Sequence, residues 1–517
     1  MRPLLICARW DGVPSPVRYL FSDDRGLTMA WLPDKAHDML RRLSDQLYGT
    51  AEVFGRLDRY VDAQQHLRQL GLAIPPELER FTVIVNWPRV VAESRVDRLD
   101  LKGFRVGENL KLADDAWEFW RSSGLDEDQT SYLDFEVFGR SFKTVEMDET
   151  GLHIENVSPI DILAHRDPVT GRLDAALRRY RDVDDYDFMS TVGWRLYLPD
   201  RTYTIDTNYQ VRSVVENPLG IVPVVPAYRN PRTTIPLHKT WPRLRGTSAL
   251  TDVIDITDAC ARDLTNAQVA QETHAVPQRG VLGATKGDFV DDNGKPLTTW
   301  EAYYGRIWAL GNPNAKTFEF SSSSMENFER MVNLYARLAS GVTGLPPNYF
   351  GLAADDAASA DAIRSREAKL VKSIERDQRT LGRQAVQTCR LVAGLLRGEK
   401  AMNAFDDADA LWYDAGTPTV AQRADAVTKL YATADPTGRP LMPREMAWEE
   451  LGWGPEKIAR AKKLLESDEE GWMQGYVKPE VADGVRSDAA IGGATAGERS
   501  ETAEQSTGRP IGGTVAE

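Results

Sequence analysis

GTSALTDVIDITDACARDLTNAQVAQETHAV (residues 246–276) and SADAIRSREAKLVKSIERDQRTLGRQAVQTCRLVAGLL (359–396) bracket the stretch that decides the fold. In the first, Ser248 can cap a helix whose early turns carry acids. Leu250, Val253, Cys260, Leu264 and Ala267 then recur at helical spacing, with Ile254 and Ile256 widening the stripe. No proline intervenes before Pro277, and a helix from Ser248 to His274 would run about 40 Å. In the second, Ser359 can cap and Asp361 suits the first turn. Ile363, Leu370, Ile374 and Leu381 mark one face, giving a rod of about 55 Å. Both exceed the common globular helix, so a long scaffold is expected. The same pattern would serve two long helices of an ordinary helical domain.

Between them, residues 277–320 are irregular and polar. DDNGK (291–295) has the Asn293–Gly294 pair of a type I′ hairpin, and Arg306–Leu310 and Lys316–Phe320 read as short strands. A shorter helix is expected over Met325–Leu338, with Phe328, Met331, Leu334 and Leu338 on one face. SGVTGLPPNYFGLAADDAA (340–358) follows as a loop.

Upstream, residues 1–34 read as a weakly ordered lead-in. From Asp34 a helix is expected with Met39, Leu40, Leu43, Leu47 and Val53 on one face and room for a break at Gly49 or Gly55. Pro88 suits a helix start, and the apolar face Val90, Val91, Val96 and Leu99 is expected to run on to a stop at Gly103. Further helices are expected at Asp114–Trp120 and around Tyr132–Phe138. Gly139 gives way to a strand-like FKTVEM, and from Gly151 to Arg229 the period shifts to two: LHIENV, LDAALRRYRD, WRLYLP, TYTID and VPVVPAY read as strands. Downstream of Leu396, short helices are expected at Ala421–Tyr431, Pro443–Trp448 and Pro455–Leu465, with Trp448 and Trp453 anchoring them. The segment 477–517 contains no aromatic residue and is expected to be disordered. The fold class is therefore α+β, predominantly helical.

The chain has 517 residues, 42% of them hydrophobic and 27% charged, the composition of a folded soluble protein. Its net charge of −14 argues against a protein that coats nucleic acid, because tight phosphate binding needs surplus Lys and Arg. Cys7, Cys260 and Cys389 are too few and too widely spaced for a disulfide frame or a zinc knuckle. No stretch approaches a membrane span or a signal-peptide core, so no membrane partner is expected. GATKGD (283–288) lacks the Gly-Lys-Ser/Thr ending of a phosphate-binding loop. His165 near Asp167 invites a general-base reading, yet a lone His in a loop is usually structural. Asp182, Asp184, Asp185 and Asp187 lack the glycine and terminal glutamate of a calcium loop. No catalytic residue, metal site or cofactor is expected.

Several stretches in one order resemble the portal proteins of tailed bacteriophages, in particular the SPP1-like portal family of actinobacterial phages. They are NWPRVVAESRVDRLDLKGFRV (86–106), NPLGIVPVVPAYRNP (217–231), GTSALTDVIDITDA (246–259), QETHAVPQRGVLG (271–283) and the run from Gly341 to Gly382, with AQRADAVTKLYA (421–432) and ELGWGPEKIARAKKLL (450–465) toward the end. The resemblance spans about residues 35–465. It implies a wing over 35–245, a first stem helix over 246–276, a clip over 277–324, a second stem helix over 325–340, a tunnel loop over 341–358, a long helix over 359–397 and a crown over 398–470. Residues 1–34 and 471–517 fall outside it.

It further implies a dodecameric ring at one capsid vertex, assembled in the host cytoplasm and carried in the virion. Double-stranded DNA would pass through it without sequence specificity. Terminase, the head–tail adaptor, and the major capsid and scaffolding proteins would be its partners. On that view Asn348, Tyr349, Asp355 and Asp356 in the loop and Arg364 and Lys369 on the long helix are candidate DNA-channel residues; on an isolated helix such a side chain is more often a solvated or intersubunit group. Trp300, Tyr303, Tyr304 and Trp308 are candidate clip contacts with a neighbouring subunit or partner, or the clip's own core. Two other readings remain at the level of sequence: a helical adaptor that forms no ring, and a metal-dependent nucleic-acid-processing enzyme.

Overall fold

The computed structural model describes residues 19–20, 32–65, 82–126, 129–148, 151–182, 190–232, 245–274, 279–283, 316–319, 325–352, 360–416, 420–433, 440–451, 453, 457–458 and 460–465. Helix takes 51% and strand 22% of the described residues, so the α+β, mainly helical expectation holds. The chain divides into two compact units at Pro418.

In the first unit, strand β1 (Tyr19–Leu20) lies in the segment read as weakly ordered and pairs with a strand some two hundred residues on. Helix α1 (Asp34–Val61) runs through Gly49 and Gly55 without a break. Its buried face is Leu40, Leu43, Leu47, Thr50, Phe54 and Leu57, whereas Val53 is 44% exposed. α2 (Trp87–Val96) opens with Pro88 in its first turn, where a missing N–H costs nothing. It stops at Val96, short of the expected Gly103, and the chain turns into strand β2 (Leu101–Val106). α3 (Leu110–Ser122) is capped by the Asn109 side chain, which accepts from the Leu112 N–H at 3.1 Å. α4 (Thr130–Phe138) ends on Gly139 in the left-handed region.

Then come β3 (Arg140–Asp148), β4 (Gly151–Val157), β5 (Ile162–Arg166), β6 (Leu173–Arg181), β7 (Thr191–Tyr197), β8 (Arg201–Asp206), β9 (Val211–Glu216) and β10 (Val224–Tyr228). They form two antiparallel sheets, ordered β1-β9-β8-β7-β6-β5 and β10-β3-β4. The N-terminal half of α1 lies on the larger sheet, seating Leu40, Leu43 and Leu47 against Leu177, Trp194, Leu196 and Ile205.

α5 (Ile254–His274) begins six residues after the expected Ser248. Ser248 Oγ instead accepts from the Leu250 N–H at 3.0 Å in a tight turn, and Leu250 and Val253 are fully buried before the helix starts. β11 (Arg279–Leu282) pairs antiparallel with β12 (Lys316–Glu319), so the first pairing strand precedes and the second follows residues 284–315. The hairpin turn at Asn293–Gly294 and the strand at Arg306–Leu310 lie outside the described residues. α6 (Glu326–Thr343) runs five residues past Leu338. α7 (Ala360–Arg397) has 38 residues, about 57 Å of rise. Short α8 (Glu399–Asn403) turns the chain into β13 (Ala408–Trp412), which pairs with β2 across some 300 residues of sequence.

α7 is the common wall of three cores. Leu370, Ile374 and Leu381 pack with Val91, Phe135 and Leu250; Ala385, Val386 and Cys389 with Phe104 and Trp120; Leu391, Val392 and Leu395 with Val145 and Val225. Each fully buried large aliphatic side chain contributes about 1.5–3 kcal/mol.

The second unit holds α9 (Val420–Ala432) and α10 (Arg444–Glu450). Trp448 and Trp453 stack with centroids 5.8 Å apart and an interplanar angle of 10°. The expected helix at Pro455–Leu465 is present in part, over residues 460–465.

Candidate functional site

The segment 341–352 joins α6 to the approach of α7. Gly344 (φ 79°) ends α6, and an added Cβ there would meet Lys369 Cδ at 3.1 Å. Lys369 Nζ donates to the Gly341 carbonyl at 2.8 Å, placing a cation on the negative end of α6. Ser340 Oγ donates to the Leu345 carbonyl at 2.7 Å. Pro346 and Pro347 then launch one 3-10 turn, Pro347–Phe350, which drops Phe350 into the core edge-on to Trp87 at 5.5 Å.

Beneath the turn, Arg98 gathers three elements. Its guanidinium donates to Glu367 at 2.9 Å on α7, to the Ala415 carbonyl at 3.0 Å and to the Tyr349 hydroxyl at 3.3 Å. The structure thus brings together Asn348, Tyr349 and Lys369 of the sequence-derived candidates. Asn348 is exposed; Tyr349 and Lys369 make internal bonds. Arg364 lies in the first turns of α7, with its side chain outside the described residues. Asp355, Asp356, Trp300, Tyr303, Tyr304 and Trp308 lie outside the described residues altogether.

A second node lies deeper. Arg95 of α2 donates to Glu136 of α4 at 2.7 Å, to Asp377 of α7 at 2.5 Å and to Ser373 Oγ at 3.0 Å. Arg229, just past β10, reaches Glu136 at 2.9 Å and Asp377 at 3.8 Å. Arg95, Glu136 and Asp377 side chains are 2% exposed or less. Two cations and two anions leave the cluster near neutral, the condition for keeping charges out of water. Burial, with Glu136 alongside, pushes the Asp377 carboxyl up to about 6.

Close backbone approach completes the clamp. The Arg229 N–H donates to the Gly139 carbonyl at 2.9 Å and the Thr247 N–H to the Arg229 carbonyl at 2.9 Å. A Cβ on Gly246 would sit 2.1 Å from the Gly139 oxygen, and one on Gly139 would sit 2.6 Å from Thr247 backbone. Only glycine fits either position.

This node was not named from sequence, although a signal exists: each charge falls in an apolar register. Arg95 sits between Val91, Ala92 and Val96; Glu136 between Phe135 and Val137; Asp377 between Ile374 and Leu381. The general-base pairing of His165 with Asp167, set aside in the sequence, does not form. His165 Nδ1 lies 2.6 Å from Asp174, while Asp167 accepts from the Val169 N–H within its own turn. Among the described residues no cluster of three or more His, Cys, Asp or Glu side chains is placed to hold a metal ion, and no helix is long and apolar enough to cross a membrane.

What the geometry defines is a scaffold in which a long helix and a short turn are clamped to a mixed core, with no assembled catalytic group among the described residues. Comparison with known proteins gives the class: residues 39–471 match the family described as phage portal protein, SPP1 Gp6-like, and the chain belongs to that family. It is 30% identical over 435 residues to the portal protein of Mycobacterium phage L5 and 30% identical over 430 residues to that of Mycobacterium phage D29. Each alignment covers 80% of this chain and 85% of the relative. Among solved structures it is similar to chains in the neck of an empty gene transfer agent particle (TM-score 0.39) and of a native one (TM-score 0.34). Both are 13% identical and cover 82% of this chain and 95% of theirs.

Proposed function

We propose that copies of this chain close into a ring of twelve at one vertex of the capsid, and that double-stranded DNA enters and leaves through its centre. The observation that carries this reading is the uncovered face of α6. Met331, Leu334, Leu338 and Val342 recur at steps of three and four and are 37%, 46%, 48% and 44% exposed, while Ala336 and Ala339, off that stripe, are buried. A continuous apolar stripe on one helix of a soluble chain is a surface that another chain covers. Cyclic assembly lets every copy cover its neighbour's stripe with no end left open.

On this reading α5 and α6 are the stem, and the segment 277–324 between them is the clip that meets terminase and later the head–tail adaptor. Residues 35–245 form the wing, 341–358 the loop nearest the DNA, 359–397 the long helix behind it and 398–470 the crown. The function is mechanical and not catalytic. A net charge of −14 keeps the ring from gripping phosphates, since each neutralised phosphate adds affinity through counterion release and would slow sliding. Asn348, exposed at the tip of the 3-10 turn, can graze the DNA backbone without a fixed charge.

Mass photometry of the purified chain tests the reading: a species near twelve times 57.8 kDa is expected at micromolar concentration. The pair Leu334→Ser and Leu338→Ser removes that species and leaves the far-ultraviolet circular dichroism of the chain unchanged. Rings that persist in this variant at wild-type abundance would refute the role of α6.

A further inference from the structure

A polar groove of about 870 Å³ runs beside α7. One wall is α7 from Glu375 to Arg390; the other is the chain from Phe405 through β13. Arg376, Arg379, Arg383 and Arg390 stand on the first wall at steps of three, four and seven, so one helix face carries four guanidinium groups over about 21 Å. Arg390 is neutralised by Asp406 at 2.8 Å. The remaining wall carboxylates are engaged elsewhere: Glu375 with Lys372 at 2.7 Å and Asp409 with Arg105 at 2.5 Å. Arg376 reaches only the neutral Asn230 Oδ1, at 3.2 Å, and Arg383 Nε only the Arg379 carbonyl, at 3.3 Å. Among the described residues, Arg376, Arg379 and Arg383 are exposed and no carboxylate pairs with them. In a chain of net charge −14 such a row of uncompensated cations is a surface awaiting an anion.

The second wall says what kind of anion. Among the described residues β13 is hydrogen-bonded to β2 on one side alone, and β2 lines none of the groove, so the groove borders the open edge of β13. An open edge offers N–H and C=O groups in strand register, which an extended polypeptide can use and a nucleic acid cannot. Glu375, Asp406 and Asp409, each already paired with a cation, interrupt the row with positions that offer a continuous line of phosphates no attraction. A polypeptide can instead set its acids against the arginines and its neutral groups against those carboxylates.

We infer that this groove receives an extended acidic segment of a second copy of this chain, laid along the open edge of β13 with its carboxylates on Arg376, Arg379 and Arg383. The inference rests on the ring reading above for the source of the segment. Each copy carries an excess of carboxylates, so neighbours repel at long range, and a local cationic row meeting an acidic segment reverses that sign where they touch.

The test uses the full chain, with Arg379→Glu and Arg383→Glu together and Arg379→Gln with Arg383→Gln as the neutral pair. The probes are a fluorescein-labelled hexaglutamate peptide and a labelled twenty-residue oligothymidylate. Fluorescence anisotropy is expected to show the peptide binding wild type, weakening with added salt, with affinity down about tenfold in the Gln pair and lost in the Glu pair. Mass photometry is expected to show rings of the Glu pair dissociating at chain concentrations where wild-type rings persist. Matching thermal melts of wild type and Gln pair show that the fold is intact. Peptide binding lost with the arginines supports the groove whether or not wild type assembles. Peptide binding unchanged in the Glu pair overturns it even where wild type forms rings, and oligothymidylate held through these arginines in place of the peptide overturns it in favour of nucleic acid.

Discussion

Replacing Arg95 with Met is the most informative perturbation of the fold. The guanidinium makes three bonds inside the core, to Glu136, Asp377 and Ser373, and its removal leaves two buried carboxylates facing Arg229 alone. One buried negative charge is then uncompensated, a defect that costs about 3–5 kcal/mol. The cost depends on pH in a definite direction. The Asp377 carboxyl already titrates at about 6 against an ordinary 3.8, so between those values the folded chain holds a proton that the unfolded chain releases. Stability through this group therefore falls as pH rises across that window. Losing Arg95 raises the carboxyl further and extends the window upward. Guanidinium-induced unfolding followed by circular dichroism should show Arg95→Met much less stable than wild type at pH 8, with the gap narrowing at pH 5. Adding Asp377→Leu restores a balanced Glu136–Arg229 pair, and the double variant should be more stable at pH 8 than the single one. A loss under about 1 kcal/mol, or one that is flat with pH, or a double variant worse than the single, would refute the reasoning.

Gly139→Ala should destabilise by at least about 2 kcal/mol, because a left-handed residue gains a Cβ 2.6 Å from Thr247 backbone; urea titration reads it directly. Cys260 and Cys389 are 0% and 3% exposed, and burial pushes both thiols up to about 12. Iodoacetamide at pH 8 should therefore leave both unlabelled in the native chain and label both in guanidinium, as mass spectrometry of peptides will show. Arg98→Ala removes the bonds to Glu367, Tyr349 and the Ala415 carbonyl, and amide exchange over 347–352 should quicken about tenfold while exchange within α4 stays slow.

The rods were legible because long helices with an apolar face write their period directly into the chain. α7 was read to within a residue or so of both ends. The strands between β3 and β10 were partly legible: those with alternating apolar residues and flanking turns were found, while β5 and β9 passed unread. β2 and β13 were invisible for a different reason. Each is a short strand whose only partner among the described residues is the other, some 300 residues away, and no local pattern encodes that pairing. The early start assigned to α5 followed from a real stripe, since Leu250 and Val253 are buried, but they are buried in a turn forced past Gly139. The apolar face of α6 was read correctly as residues and could not be read as uncovered, because burial depends on what lies opposite. The node of Arg95, Glu136, Asp377 and Arg229 illustrates the same limit: a charge in an apolar register is visible, but its partners are set by the fold.

α7 meets three separate cores along its length. A shaft keyed at three places along its length cannot spin in its housing. Turning it would tear Leu370, Cys389 and Leu395 from their seats at once. On the ring reading proposed above, whatever yields within one protomer must therefore yield outside that keyed length.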